Sequence, residues 1–223
     1  MAHGWTLFCA RARRVFIAAS LALCALSPAA AADAPKGPKA DLHGKVVERW
    51  NAAYAAINHT AGAPSAADIA AMVEREPNVN LRYTLLQALS ASDYATALPV
   101  LVRVLNSDPA LMVRYVAARE LIHFNDASAA HALAGALSKD AALEVRRACA
   151  QSLGLQSAPE AGKALVAAAA HTDAGIREAA GWALIQQPRS RDIDRVLDRL
   201  ENDADKSVAK RVHDWRQWRR SKP

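Results

Sequence analysis

The chain has 223 residues, 52% of them hydrophobic and only 5% aromatic, enough for one substantial core built mainly from small aliphatic side chains. Its 53 alanines stand against 9 glycines and 10 prolines, which favours helix and excludes an all-β sandwich and disorder over the whole length. The formal charge of +6 becomes +3 once Arg11, Arg13 and Arg14 are assigned to a removable leader, and so small an excess is no nucleic-acid footprint.

Residues 1–32 have the layout of a secretory signal peptide: the three arginines, an apolar run from Val15 to Leu26, and small residues around Pro28 ending in Ala30-Ala31-Ala32. Cleavage is expected after Ala32, which makes the mature protein periplasmic or secreted. The apolar run is too short for a membrane-spanning helix, and no transmembrane anchor is expected after cleavage. Leu21-Ala22-Leu23-Cys24 resembles a lipoprotein box, but Leu23 fills a position that normally holds a small residue. Arg13-Arg14-Val15-Phe16-Ile17 resembles the core of a twin-arginine export signal, with Ala12 and Ala18 departing from its flanks, so the general secretory route is preferred. Cys9 and Cys24 leave with the leader. Cys149 is then the only thiol, no internal disulfide can form, and its alanine-rich surroundings predict a buried small side chain in place of a nucleophile.

Residues 33–40, Asp-Ala-Pro-Lys-Gly-Pro-Lys-Ala, lack an apolar stripe and read as a flexible stem. The domain proper is expected over 41–220, beginning with a capping helix at 41–59 that carries Val46, Val47, Trp50, Tyr54 and Ile57. A period then sets in. Leu81-Arg82, Val113-Arg114, Val145-Arg146, Ile176-Arg177 and Val208-Ala209 are separated by 32, 32, 31 and 32 residues. Four and eight residues after the apolar member stand further apolar residues, such as Leu85 and Leu89 or Cys149 and Leu153, which share one helical face. A second stripe precedes each copy, as in Leu101/Leu105 and Leu133/Leu137. Each repeat is therefore a pair of amphipathic helices, the repeats covering about 64–92, 93–125, 126–156, 157–187 and 188–220. First helices are predicted at 66–75, 95–106, 127–138, 158–170 and 190–201, second helices at 79–90, 110–124, 141–154, 174–186 and 205–219. Neither helix of a pair can bury both faces alone, so the fold class is all-α, an α-solenoid of about five stacked hairpins.

These residues resemble HEAT repeats, armadillo-like in architecture, and specifically the short HEAT-like kind found in phycobilin (PBS) lyases, whose pattern is an acid, then Val-Arg, then Ala, then Leu-Gly. Asp108 with Arg114 and Asp140 with Arg146 keep the six-residue separation, Leu153-Gly154 keeps the ending, and Glu76 with Arg82 is a near match. The resemblance implies a structural ladder in which the acid of one turn bonds the arginine of a neighbouring repeat. His171 replaces the acid before Arg177, and Ala209 replaces the arginine after Asp203, so the ladder is expected to weaken toward the C-terminus. The resemblance also implies an alternative function, a cofactor- or tetrapyrrole-handling protein, lyase-like or a chaperone, that uses the concave groove.

No catalytic motif is present. His43, His59, His123, His131, His171 and His213 are followed by Gly, Thr, Phe, Ala, Thr and Asp, so the His-Glu steps of HEAT-like di-iron hydroxylases are missing. Zinc, haem-attachment, P-loop and nucleophile-elbow signatures are missing as well. The expectation is a non-enzymatic protein with no cofactor and no metal. If the second helices line the inner curve, as in the HEAT family, the positions one and five after each repeat arginine face outward there. They read Tyr83/Gln87, Tyr115/Arg119, Arg147/Gln151, Glu178/Trp182 and Lys210/Asp214. Tyr, Trp and Arg are frequent interface anchors, so Tyr83, Tyr115, Arg119, Arg147, Gln151 and Trp182 are the expected contacts for a protein or peptide partner in the cell envelope. In the last helix Lys206, Lys210, Arg211, Arg216, Arg219, Arg220 and Lys222 alternate with Trp215 and Trp218. That pattern suits either a solvated terminal cap resting on Val208, Val212 and Trp215 or a weak contact with an anionic surface.

Overall fold

The computed structural model describes residues 38–60 and 62–221, with side chains described from Lys45 onward. The leader, its cleavage point after Ala32, Cys9 and Cys24, and residues 33–37 of the expected stem lie outside the described residues. The chain divides into two units, Met1–Val46 and Val47–Pro223. Helix α1 (Pro38–Ile57) starts inside the stretch read as a flexible stem, so residues 38–40 are helical. Proline is well suited to the first helical position, where its missing N–H would have no partner. The end of α1 comes two residues early because the Thr60 N–H bonds Ala55 O at 3.0 Å and the His59 N–H bonds Ala56 O at 3.3 Å. This is a Schellman closure, with His59 in the left-handed position (φ 52°) that usually holds glycine.

Five helical hairpins follow: α2 (Ala66–Arg75) with α3 (Val79–Ser90), α4 (Tyr94–Ser107) with α5 (Leu111–Glu120), α6 (Ala127–Lys139) with α7 (Leu143–Leu153), α8 (Pro159–Ala168) with α9 (Ala174–Gln186), and α10 (Arg191–Leu200) with α11 (Lys206–Arg220). No strand occurs among the described residues. The predicted pairs are present with ends shifted by two residues or fewer, except that α5 tightens after Glu120 into a 3-10 turn, Leu121–His123. That turn delivers Phe124 into the core, where its ring meets Tyr94 at 4.8 Å. Side-chain caps start most first helices; Ser65 and Asp68 form a capping box on α2, and Asp93, Asp126 and Ser190 cap α4, α6 and α10.

Each helix packs on its hairpin partner and on the equivalent helix of the next hairpin, and the second helices approach one another more closely than the first helices do. Alanine makes the close approach feasible: Ala117, Ala118, Ala148, Ala150, Ala180 and Ala183 are buried between the leucines and valines of both stripes. Gly154 is a required glycine, since a Cβ there would come within 2.9 Å of the Ala183 Cα. Cys149 is fully buried, as predicted, and burial pushes its thiol pKa up, away from reactivity.

Along one edge runs the arginine ladder. Arg82 grips Asp108 through Nε (2.8 Å) and Nη2 (3.0 Å) while Nη1 donates to its own turn at Glu76 O (2.7 Å). Arg114 repeats this with Asp140 (2.7 and 2.9 Å) and Asp108 O, and Arg177 with Asp203 (2.7 and 2.8 Å) and His171 O. Each carboxylate also accepts the N–H two residues on, at Ala110, Ala142 and Asp205. Helix α1 supplies a rung that the sequence did not disclose: Arg49 Nε donates to the buried Glu76 at 2.6 Å, so α1 stands in for the second helix of a missing repeat.

The weakening expected toward the C-terminus is confined to one rung. His171 Nδ1 accepts the Asp173 N–H at 2.9 Å, while its Nε2 sits 3.3 Å from Arg146 Nη1. A neutral imidazole has one acceptor nitrogen and faces two donors here, and Arg146 Nε is buried with no partner. The next rung, Arg177 with Asp203, is intact.

A second ladder, on the opposite edge, is made by buried glutamines. Gln156 Nε2 donates to Leu121 O at 3.0 Å, and Gln187 Nε2 lies 2.8–3.1 Å from the carbonyls of Leu153, Gly154 and Gln156. These bonds tie the end of each second helix to carbonyls at the end of the preceding one. Arg219 continues the line by donating to Gln187 O at 2.8 Å.

His171→Asp should supply the absent carboxylate, satisfy Arg146 and keep the bond to the Asp173 N–H. We expect about 1–2 kcal/mol of added stability, seen as a higher midpoint in circular-dichroism melts. The intact rungs carry a pH dependence. Burial acts to raise the Asp140 carboxyl, but Arg114 and the Ala142 N–H outweigh it, and Asp203 is lowered chiefly by its bonds to Arg177. Folded-state values below the unfolded one mean that this stability is complete above the usual carboxylate range and is lost as pH falls through the lowered values. Thermal midpoints should hold level from neutral pH to about pH 5 and fall below about pH 4. The deficit of Asp203→Asn relative to the parent should shrink over that same acidic range.

Candidate functional site

The register fixed by the ladder decides which side chains reach the face of the second helices. Tyr83, Tyr115, Arg147 and Trp182 are half-buried there, and Arg119 and Gln151 are exposed. On α5, Arg119 Cζ lies 6.0 Å from the centre of the Tyr115 ring, one turn away, at the outer limit of a cation–π contact. Arg119 has no carboxylate partner among the described residues. Exposed Met112 lies one turn before Tyr115.

Arg147, Gln151 and Trp182 come together in an open cavity of about 380 Å³ between α7, α9 and α11. Tyr83, Tyr115 and Arg119 do not line it; they belong to α3 and α5, further along the same row. Five more positions complete the cavity: Gly175, Glu178 and Ala179 from α9, Arg211 and Trp215 from α11. The Trp182 ring tilts against Trp215 at 5.1 Å and Trp218 at 6.0 Å, forming an aromatic wall. Across it, Arg211 Nη1 bonds Glu178 Oε1 at 2.7 Å.

Arg211 and Trp215 belong to a column that, in earlier repeats, slots beneath the preceding second helix. Its members there are buried Ala148 and Ser152 in α7 and Ala179 and Ala183 in α9. Ser152 Oγ, for example, reaches Ala118 O at 2.8 Å. Large side chains in α11 cannot enter that slot and project over its rim into the cavity. The change from small residues at these positions in α7 and α9 to Arg211 and Trp215 in α11 is the signal that sequence reasoning could have used.

Arg147 is set by a gap as much as by a partner. A Cβ on Gly175 would lie 2.0 Å from Arg147 Nη2, so the guanidinium lies across the first turn of α9 in space that only glycine leaves free. Its carboxylate neighbour is Asp173, at 3.5 Å, and that Oδ1 already accepts the Ile176 N–H at 2.9 Å. Burial works to raise the Asp173 carboxyl, while the Ile176 N–H and Arg147 together keep it below its ordinary value. Arg147 Nε is shut off from water without an acceptor.

The cations of α11 are mostly engaged within the fold. Arg216 bonds Asp198 (2.7 Å) and Glu201 (2.5 Å), Lys210 bonds Asp214 (2.6 Å), and Arg219 bonds a backbone carbonyl. Val208 and Val212 are buried, and Trp215 is half-buried. The terminal-cap reading of this helix accounts for these contacts, while Lys206 and Arg220 are exposed. The described residues hold no group of three or more His, Cys, Asp or Glu side chains arranged to take a metal ion. None of their helices is long and apolar enough to cross a membrane.

Repeat length, ladder and face together define an α-solenoid of HEAT type. The chain matches the HEAT repeats family over residues 65–154 and 131–213, more than half its length, and belongs to that family. No curated protein matches it. Among solved structures it is similar to the complex of CpcE and CpcF of phycocyanin lyase from Nostoc sp. PCC7120, with 23% identity, 68% of this chain and 97% of that chain covered, and a TM-score of 0.55. It is also similar to a designed armadillo repeat protein in complex with the peptide (KR)4, with 15% identity, 82% and 94% covered, and a TM-score of 0.51. At these identities the likeness is one of fold.

Gly175→Ala tests the seat of Arg147. The added methyl evicts the guanidinium, while alanine is the better helix former by about 1 kcal/mol. We expect an unchanged or higher melting midpoint together with a shifted Arg147 Nε–H resonance. An unmoved resonance would show that Arg147 is held by something other than the glycine gap.

Proposed function

We propose that this protein is an exported, non-catalytic HEAT-repeat adaptor that holds a protein or peptide partner in the cell envelope on the face of its second helices. The observation that carries the reading is the row of half-exposed Tyr83, Tyr115, Arg147 and Trp182 with exposed Arg119, one on each of successive second helices or a turn apart on the same one. Aromatic and arginine side chains of this kind supply most of the binding energy at protein interfaces. The rigid stacking of hairpins beneath them favours tight capture, because little freedom remains to be lost on binding. Export rests on the basic, apolar and small-residue sequence of positions 1–32.

The test is capture from envelope extract by the tagged protein, recovered from the periplasmic fraction and beginning at Asp33. Tyr115→Ala combined with Arg119→Ala should reduce partner recovery by about tenfold or more, a loss typical of interface anchors, with helical circular dichroism unchanged. Undiminished capture by the double variant would refute the assignment, and a cytoplasmic, uncleaved product would refute export.

A further inference from the structure

The cavity between α7, α9 and α11 is lined by two cations, Arg147 and Arg211, and one anion, Glu178. Glu178 is taken by Arg211, in contact at 2.7 Å. Arg147 is held more loosely: its side chain is 43% exposed, and its carboxylate neighbour Asp173, which also accepts the Ile176 N–H, forms a single ion pair with it at 3.5 Å in place of a fork. A guanidinium is a planar fork that matches a carboxylate through two parallel hydrogen bonds, as Arg82, Arg114 and Arg177 do along the edge of this same molecule. Arg147 alone among these four arginines makes no two-bond pair with a carboxylate, and it lines a cavity.

The rest of the lining restricts what could bring the carboxylate. Trp182 and Trp215 offer an apolar wall beside the cation, and the exposed amide of Gln151 both donates and accepts, as a peptide backbone requires. A nucleic-acid backbone would need several free cations in a line, and the cavity offers one cation, Arg147, outside the Arg211–Glu178 pair.

We infer that this cavity anchors an acidic side chain of an extended peptide segment, with the carboxylate on Arg147 and the adjoining apolar side chain on the Trp182–Trp215 wall. The inference rests on the adaptor reading above and gives it a ligand chemistry. One charge-neutralising contact in a half-enclosed pocket sets a preference for Glu or Asp over their amides at that position of the partner.

The experiment titrates blocked pentapeptides into the isotope-labelled protein and follows the Arg147 Nε–H and the Trp182 and Trp215 indole N–H resonances. The peptides are Gly-Leu-Glu-Leu-Gly and its Gln and Lys counterparts. The glutamate peptide should shift all three resonances saturably and bind about tenfold more tightly than the glutamine peptide, with the lysine peptide weakest. Arg147→Gln should bring the glutamate peptide down to the level of the glutamine peptide while the indole shifts persist. Gly175→Ala, which displaces the guanidinium without removing it, should cut the preference too. Equal affinity for the Glu and Gln peptides, preference for Lys, or no saturable shift would overturn the inference. Partner capture through Tyr115 and Arg119 is read separately: capture with no glutamate preference removes this inference alone, and binding of the glutamate peptide without partner capture removes the adaptor reading alone.

Discussion

The guanidinium fork that reaches from one hairpin into the turn of the next is the contact on which the architecture depends. A pair of helices ten to fifteen residues long cannot cover its own apolar stripes, so stability has to come from stacking. Stacking by alanine and leucine alone would leave the register between repeats loosely specified, since small side chains slide past one another at little cost. Arg82, Arg114 and Arg177 fix it, each joining a carboxylate of the next repeat to a carbonyl of its own turn. Because the carboxylate also holds the N–H two residues on, arginine and turn position each other. Side chains one and five residues beyond the arginine then face outward at a regular spacing. The exposed row is thus a consequence of the edge.

The two edges divide the work. Charged pairs hold the side where hairpins turn, while buried amides of Gln156 and Gln187 hold the side where one repeat passes to the next. The ends of the stack are closed by substitution within the same scheme. Arg49 of α1 takes the place of a preceding repeat's arginine on Glu76. At the far end Arg216 and Arg219 of α11 bind Asp198, Glu201 and Gln187 O, so a helix rich in cations serves as a lid for the last hairpin.

Much of this was legible in the sequence because a repeated fold repeats its chemistry. A 32-residue period, an acid six residues before an arginine, and two apolar stripes were enough to place ten helices to within a few residues. What escaped was whatever occurs once. Arg49 precedes the first copy of the period and so had no column to belong to. Phe124 occupies the position where later repeats carry Gln156 and Gln187, so the amide ladder appears in too few copies to be seen as a pattern. The site was legible as a face and not as a cavity. Arg147, Gln151 and Trp182 were found from helical spacing, whereas Arg211 and Trp215 enter because a slot built for alanine cannot hold them.

The incomplete rung and the cavity lie on one stretch of chain, and the position of a single carboxylate accounts for both. In the turns before α5 and α7 the acid stands at Asp108 and Asp140, and the cap positions two residues later are alanines. Before α9 the order is reversed: His171 occupies the ladder position and the acid stands at the cap, Asp173. With His171 in the ladder position Arg146 on the edge lacks a carboxylate, while the cap acid Asp173 stands 3.5 Å from Arg147 on the face. This arrangement costs the stack one bidentate pair and leaves a buried Arg146 Nε without an acceptor. The neighbouring guanidinium lies across Gly175 in a single ion pair at 3.5 Å, looser than the forks of the edge. Local rules broken at one place, against the agreement of every other rung, mark where a fold has given up stability for something else. Here the departure coincides with a cavity lined by the arginine beside which the cap acid stands.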